Sequence, residues 1–476
     1  MMCAFFRSKN GVFDFRSVNE KHIIRRYIFY DGCASMKKVC VTTERMLSTG
    51  MQKNLLLLLH PHLLKMITYR HNSFAFDLNS RRHPCWSLQQ TINYSTETEK
   101  KAIRRIDRYN VHIKNHVHSI EPKMAQICPN RFLRASKRTD ALYLINKKVA
   151  KKLVSLIIND LKQNMCFVAE ANPGIGLLTE ELLNAGVPKI YMYEKAIEFH
   201  ETLRMLIQKY PEQLVLRNVQ IFQFSKYVYS SAHLGSYIIE QFLAGVKSKS
   251  WDGDTCMQII GGTSNHRFIS SILMSTIFQN TLMANGRVAF YLVVPPYILD
   301  HYLDAKKHQN YNTHTLMFHL LMDYKILGSI SRSAFVPMHS RKYLMDDYNA
   351  TRNPDNALYV VKLEPKQDLF IKHMERKDLI PFWHFVRHTN AQKSRRIIPE
   401  MEKWIPGCGL RLIAQNYSIF KQFNDLSPEE YLYLYKQFRT WPEYGECVFL
   451  PSVDAVLTSM TETYISDVGR NYDFED

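Results

Sequence analysis

The chain lacks the spacings on which small redox and zinc modules depend. Its nine cysteines stand at positions 3, 33, 40, 85, 128, 166, 256, 408 and 447, and no two form a C-x-x-C pair. That excludes a zinc ribbon or a thioredoxin-like motif, and an odd set of widely spaced cysteines reads as free thiols in a reducing compartment. Long apolar runs are absent too. The most apolar stretch, Leu55–Leu59, stops at His60 and Pro61, far short of the ~20 residues that cross a bilayer. Acids are scarce near the N-terminus. Between Met51 and Thr96 only Asp77 is acidic, against Lys53, Lys65, Arg70, Arg81 and Arg82. Such an acid-poor, basic, hydroxyl-bearing stretch has the composition of a mitochondrial presequence. Residues 1–96 are therefore expected to be a targeting segment without a fold of its own. Met51 makes a second plausible start, which would leave 1–50 as an upstream extension.

What is present points elsewhere. Of 476 residues 46% are apolar, enough for a sizeable core and two or three domains. Lys and Arg number 62 against 44 Asp and Glu, a net charge of +18. Such a surplus suits a densely anionic partner, with nucleic acid the first candidate and an anionic membrane surface the second. The charge is concentrated in residues 97–140, a basic N-terminal arm holding Lys100, Lys101, Arg104, Arg105, Arg108, Lys114, Arg131, Arg134, Lys137 and Arg138. A run of this kind either contacts phosphate or simply forms a solvated face.

From residue 141 onward, strand and helix patterns alternate. Helical stretches are expected at Val149–Leu161, Thr179–Ala185, Ala196–Tyr210 and Phe268–Met283. Strands are expected at Cys166–Ala169, Lys189–Tyr193, Val219–Phe224, Met257–Ile260, Arg287–Val294 and Ala357–Leu363. Pro295-Pro296 marks a turn, and Ser340–Asp355 a long polar loop. This alternation predicts an α/β fold with a parallel, doubly wound sheet over 141–370. Helical signals at Leu379–His388, Ser394–Lys403, Gly409–Ile413 and Pro428–Phe438 predict a small helical C-terminal lobe over 371–450. From Asp454 the acids Asp454, Glu462, Asp467, Asp473, Glu475 and Asp476 face Arg470 alone, so 451–476 is expected to be an acidic, flexible tail.

The chemical signal lies in the run Phe167-Val-Ala-Glu-Ala-Asn-Pro-Gly-Ile-Gly-Leu-Leu-Thr179. An apolar strand leads through Glu170 into a tight turn, Asn172 to Gly176, and a helix follows. Gly174 and Gly176 let a ligand approach the backbone, and the helix start offers free N–H groups to an anion. Glu194 closes the next strand, where Rossmann-type sites carry an acid that accepts hydrogen bonds from ribose hydroxyls. The alternative for Glu194 is an ordinary exposed strand-end carboxylate.

Glu170-Ala-Asn-Pro-Gly-Ile-Gly-Leu-Leu-Thr179 resembles the E-x-G-P-G-x-G-x-L-T signature of the rRNA adenine dimethyltransferase family, with Asn172 in place of the first glycine. Tyr143-Leu-Ile-Asn-Lys-Lys-Val-Ala-Lys-Lys-Leu-Val154 is similar to the family's F-L-V-D-x-x-V-A-x-K-I-V segment. Phe335, Pro337 and Ala357–Leu363 resemble the approach to its last strand. Arg395-Arg396 and Leu426-Ser-Pro-Glu-Glu430 resemble its helical lobe. The resemblance covers about 130–445. It implies a Rossmann-type S-adenosyl-L-methionine-dependent methyltransferase fold, with Leu144, Ile145, Glu170, Asn172, Gly174, Gly176, Glu194 and Gln223 at the cofactor.

The departures matter as much as the matches. Where the enzymes carry N-L-P-Y or a variant, whose Asn and aromatic handle a flipped adenine, this chain has Gly262-Thr263-Ser264-Asn265. Gly262 replaces the catalytic Asn, Gln223 the Asp that holds the cofactor's adenine, and Ala141-Leu142 the Gln-Asn before F-L. No confident catalytic residue remains, and cofactor binding is expected to be weak or vestigial. This pattern resembles the family's mitochondrial transcription factor B branch. That implies a matrix protein whose partners are the single-subunit mitochondrial RNA polymerase and melted promoter DNA, with mitochondrial small-subunit rRNA as the substrate of the enzymatic alternative. Neither a membrane partner nor self-association is expected. Lys137, Arg138, Arg395 and Arg396 are the candidate phosphate contacts. Phe382, Trp383 and Phe385 lie among Arg387, Lys393, Arg395 and Arg396, with Trp383 expected in the core. His384 and His388 share a helix face but have no third ligand candidate, so no metal site is expected.

Overall fold

The computed structural model describes residues 110–133, 141–226, 233–307, 311–338, 357–392 and 394–471. The proposed presequence, Lys100–Arg108, Lys137, Arg138, Lys393 and the Ser340–Asp355 loop lie outside the described residues. Helix α1 runs through 110–120 and α2 through Pro122–Ile127. Then come β1 (Tyr143–Leu144), α3 (Lys147–Gln163), β2 (Phe167–Ala171), α4 (Leu177–Asn184), β3 (Ile190–Tyr193), α5 (His200–Lys209), β4 (Leu214–Arg217) and α6 (His233–Leu243). The second half continues with β5 (Met257–Gly262), α7 (His266–Phe278), β6 (Val288–Val294), α8 (Pro296–Lys307), α9 (Thr313–Leu321), β7 (Met322–Ser331), β8 (Phe335–Val336) and β9 (Ala357–Pro365). The C-terminal helices are α10 (Leu379–Thr389), α11 (Ile397–Met401), α12 (Gly409–Ala414), α13 (Pro428–Thr440) and α14 (Phe449–Asn471).

Seven strands form one sheet in the order β4-β3-β2-β5-β6-β9-β7. Only β9 runs against its neighbours. The chain winds outward from β2 to β4, then returns to lay β5 on the other side of β2. The carboxyl ends of β2 and β5 are thus the topological switch point, where open α/β sheets leave a crevice for ligands. Every residue of β2, β5 and β6 is buried, as expected of strands covered by helices on both faces. A second, two-stranded sheet pairs β1 with β8. The Asn146 side chain accepts from the N–H groups of Lys148 and Val149 at 2.9 and 3.2 Å and so starts α3 two residues after β1.

One face of the sheet packs under α1–α5. The other packs against α7 and α9 and continues without a break into the C-terminal helices, where Phe382, Trp383, Phe385, Trp404, Phe438 and Phe449 are buried together. Trp383 lies in the core, as expected.

Several expectations need correction. Val219–Phe224 is no strand. Ile221–Lys226 forms a 3-10 turn that drives Phe222 and Phe224 into the core, and the strand is Leu214–Arg217, four residues at the sheet edge. The helix expected to reach Met283 breaks at Gln279, whose φ is +50°, before a short turn at Thr281–Met283. Pro296 begins a helix, a position that suits a residue with no N–H to donate. Asp454, Glu462 and Asp467 of the acid-rich C-terminal segment lie on α14, which runs as far as Asn471. Five described cysteines, at 128, 166, 256, 408 and 447, are free thiols. Among the described residues no helix is long and apolar enough to cross a membrane.

Candidate functional site

The glycine-rich turn joins β2 to α4 and needs left-handed backbone at three places. Gly174 and Gly176 have φ of +60° and +85°, and Asn172 has +56°. Asparagine is the non-glycine residue that best tolerates this region, which explains how it stands where the family has glycine. At Gly176 an added Cβ would lie 2.7 Å from Leu206 Cδ2, so Leu206 would have to shift, and the left-handed φ strains any side chain there. Both polar atoms of the Asn172 side chain are buried without a hydrogen-bond partner, although its backbone N–H bonds the Tyr193 carbonyl at 2.9 Å. Buried amides are rarely left unsatisfied. This one lies where a polar ligand would meet the turn.

The two acids flanking the turn have different surroundings. The Thr179 hydroxyl donates to Glu170 at 2.7 Å. Glu170 therefore braces β2 against α4 with its own carboxyl, instead of presenting it to a ligand, and burial pushes it up to about 8. Glu194, fully buried, accepts from three donors: the Ala196 N–H at 2.8 Å, the Gly174 N–H at 3.1 Å and the Tyr143 hydroxyl at 3.2 Å. Burial raises it to about 7 against the opposing pull of those bonds. It is not the exposed strand-end residue of the alternative reading.

Leu144 and Ile145 are core residues, held where β1 pairs with β8 and where the Ile145 N–H bonds the Ala334 carbonyl at 2.8 Å. They offer no polar side chain to a cofactor. Gln223 is half-buried on the 3-10 turn after β4, on the β3–β4 side of the switch point.

At the end of β5 the degenerate motif is occupied by structural duties. The Leu142 N–H bonds the Gly262 carbonyl at 2.9 Å, and a Cβ on Gly262 would lie 3.0 Å from Leu142 Cβ and 3.6 Å from Phe335 Cε1. Gly261 is tighter still, with the Ala171 carbonyl 2.8 Å from where its Cβ would stand. Asn265 caps α7 through the Arg267 N–H at 3.0 Å and donates to the Phe222 carbonyl at 3.3 Å. The Thr263 hydroxyl accepts the Asn265 N–H at 3.1 Å. Tyr297 closes the aromatic-rich stretch Phe290–Tyr297, whose pattern reads as core or sheet, but it is exposed and donates to the Ser264 carbonyl at 3.3 Å.

A sequence pattern of the family described as ribosomal RNA adenine dimethylase matches residues 133–439. The chain belongs to that family. A relative in Drosophila melanogaster, "Dimethyladenosine transferase 2, mitochondrial", is 27% identical over 384 residues, covering 70% of this chain and 83% of its own. The Homo sapiens protein of the same name is 20% identical over 274 residues, covering 56% and 68%. A solved dimethyladenosine transferase from Plasmodium falciparum matches with 14% identity and a TM-score of 0.39, over 62% of this chain and 97% of that one. The mostly parallel sheet with its C-terminal helices is an α/β arrangement.

The nucleic-acid candidates separate. Arg395 is a structural residue, because its guanidinium bonds Glu400 at 2.9 Å and the His388 carbonyl at 3.1 Å. Arg396 is exposed and lies over the Phe420 ring, 5.3 Å from its centroid. His388 also serves Glu400, at 2.7 Å, and His384 bonds Ser452 at 2.9 Å. A cationic face missed in the sequence lies on the first turns of α3, where Lys147, Lys148, Lys151 and Lys152 are all exposed. Their i, i+4 spacing was the available signal.

Proposed function

We propose that this chain is a mitochondrial transcription initiation factor that helps the mitochondrial RNA polymerase melt promoter DNA, using a methyltransferase fold whose base-modifying site has been closed. The observation that carries the reading is Gly262. The residue that would hold the target amine has no side chain, its carbonyl is bonded to Leu142, and Leu142 and Phe335 flank the space a side chain would need. Exposed cations on α3 and at Arg396, with the exposed rings of Phe420 and Tyr297, supply phosphate contacts and stacking surfaces suited to melted strands. Mitochondrial location agrees with the relatives' names.

A second reading, a dimethyltransferase acting on adenines of mitochondrial small-subunit rRNA, draws on three features of the site. The unpartnered Asn172 amide, the glycine turn and the buried Glu194 carboxyl fit the adenosyl part of S-adenosyl-L-methionine. Asn172 and Glu194 would hold it, and the bound cofactor would supply an activated methyl group. We infer retained but weak binding, because Gln223 provides a neutral amide where the family has a carboxylate.

Run-off transcription with the purified polymerase, beside methyl transfer to an rRNA stem-loop, separates the two. The transcription reading expects promoter-dependent product from duplex template, reduced dependence on this chain with a pre-melted bubble, and no methyl transfer. Efficient dimethylation without an effect on transcription overturns it.

A further inference from the structure

The carboxylate proposed to receive a ribose is already engaged by a side chain of the protein itself. Of the three donors on Glu194, two are backbone N–H groups, from Gly174 and Ala196, and belong to the frame of the site. The third is the Tyr143 hydroxyl, at 3.2 Å and buried. Burial and the neighbouring Glu194 push the Tyr143 phenol upward, so it keeps its proton and acts as the donor. A hydroxyl donating to the strand-end carboxylate is the same interaction that a ribose hydroxyl makes there. The tyrosine ring completes the substitution. Its Cδ1 lies 3.1 Å from where a Cβ would stand on Gly174, so it rests on the turn that a ligand would approach. The rings of Phe132 and Phe199 hold it there, with centroids 4.7 and 5.1 Å away.

We propose that Tyr143 is a resident occupant of the ribose subsite, and that an adenosyl ligand binds only by displacing its hydroxyl from Glu194. The proposal rests on the reading of Glu194 as the ribose acceptor. Asn172 supplies the complementary observation. Its amide, on the same turn as the Gly174 N–H that Glu194 accepts, is buried and itself unsatisfied, so Tyr143 replaces only part of what the site is built to hold. The residues on either side tie Tyr143 in place. The Leu142 N–H bonds the Gly262 carbonyl and the Ile145 N–H bonds the Ala334 carbonyl, so a displacement that moves the backbone as well as the ring opens these two bonds. One short segment thereby covers both the ribose acceptor and the position of the missing catalytic side chain.

The test is calorimetric titration of S-adenosyl-L-homocysteine into the full chain, Tyr143→Phe, Glu194→Gln and the double variant, with hydrogen exchange read at the Leu142 and Ile145 amides. Tyr143→Phe should bind about ten- to a hundred-fold more tightly, the range expected when a charge-assisted hydrogen bond need no longer be displaced. Glu194→Gln should cancel that gain. In the unmodified chain, ligand should speed exchange at Leu142 and Ile145. Tyr143→Leu, which also removes the hydroxyl, gives the same comparison if the phenylalanine variant folds poorly. If Tyr143→Phe binds no more tightly while Glu194→Gln abolishes binding, the occupant proposal fails and the ribose reading stands. If Glu194→Gln changes nothing in either background, the ribose reading fails and the proposal with it. Absence of binding by the unmodified chain and both Tyr143 variants overturns both.

Discussion

Glu170 and Glu194 sit near the carboxyl ends of adjacent strands, and both titrate against the fold. Burial raises them to about 8 and about 7, so the folded chain holds protons that the unfolded chain releases in the ordinary carboxylate range. A raised acid contributes stability that is complete below its unfolded pKa and is lost as pH rises through its folded one. The urea midpoint should therefore fall from pH 5 to pH 8. Glu170→Gln and Glu194→Gln should each flatten the fall, and a midpoint that climbs across this window would contradict both assignments. Gly262 supports a second expectation. Gly262→Asn alone should not bring methyl transfer to rRNA, because the new side chain meets Leu142 and Phe335 before it meets a base. Methyl incorporation by that variant would show the pocket to be open. Asn172, Gly174, Gly176 and Glu194 were legible because strand, turn and acid follow one another along the chain. Tyr143 and Leu142 were not, since their partners Glu194 and Gly262 are brought near only by the finished sheet.

At the scale of elements, Glu400 holds the C-terminal lobe together. Nearly buried, it accepts from Lys403 and His388 at 2.7 Å each and from Arg395 at 2.9 Å, tying α10 to α11. Burial acts to raise its pKa, but bonds to these three partners outweigh it and the net shift is downward. Its stabilising contribution is thus present above the usual carboxylate range and lost on acidification, the opposite sign to Glu194. Arg395→Ala should cost about 2–3 kcal/mol in urea unfolding, as for a hydrogen-bonded charge. Arg396→Ala should change stability by only about 0.5 kcal/mol while lowering the salt slope of single-stranded DNA binding by about 0.7. An unchanged slope would reduce Arg396 to surface solvation. Two strands missed in the sequence share a cause. In β7 only Met322 and Ile330 are buried, and β4 has four residues. Both are edge strands, which show little of the apolar run that marks β5 and β6. Conversely, Ile221, Phe222 and Phe224 read as strand because they are apolar, whereas their burial comes from a tight turn.

For the whole molecule, the apolar core on one side of the sheet runs into α10, α13 and the start of α14. The helical lobe was legible as helices, from periodicity. Its sharing of a core with the sheet was not, because that depends on which faces meet. Residues 1–96 have the acid-poor, basic composition of a presequence. Their removal should leave the thermal midpoint unchanged and abolish import into isolated mitochondria. Import of the shortened chain at the full rate would remove the targeting role.

The antiparallel strand β9 has a consequence for how the chain is made. It is hydrogen-bonded on one side to β6 and on the other to β7, both of which precede it in sequence. A polypeptide emerging N-terminus first, from a ribosome or a translocation pore, cannot close the sheet until residue 365 is out. Until then β6 and β7 wait with unpaired edges, the state in which strands of different chains find one another. Such a chain needs an escort during synthesis and entry, and a stop codon anywhere before Ala357 should yield aggregate instead of a smaller folded protein.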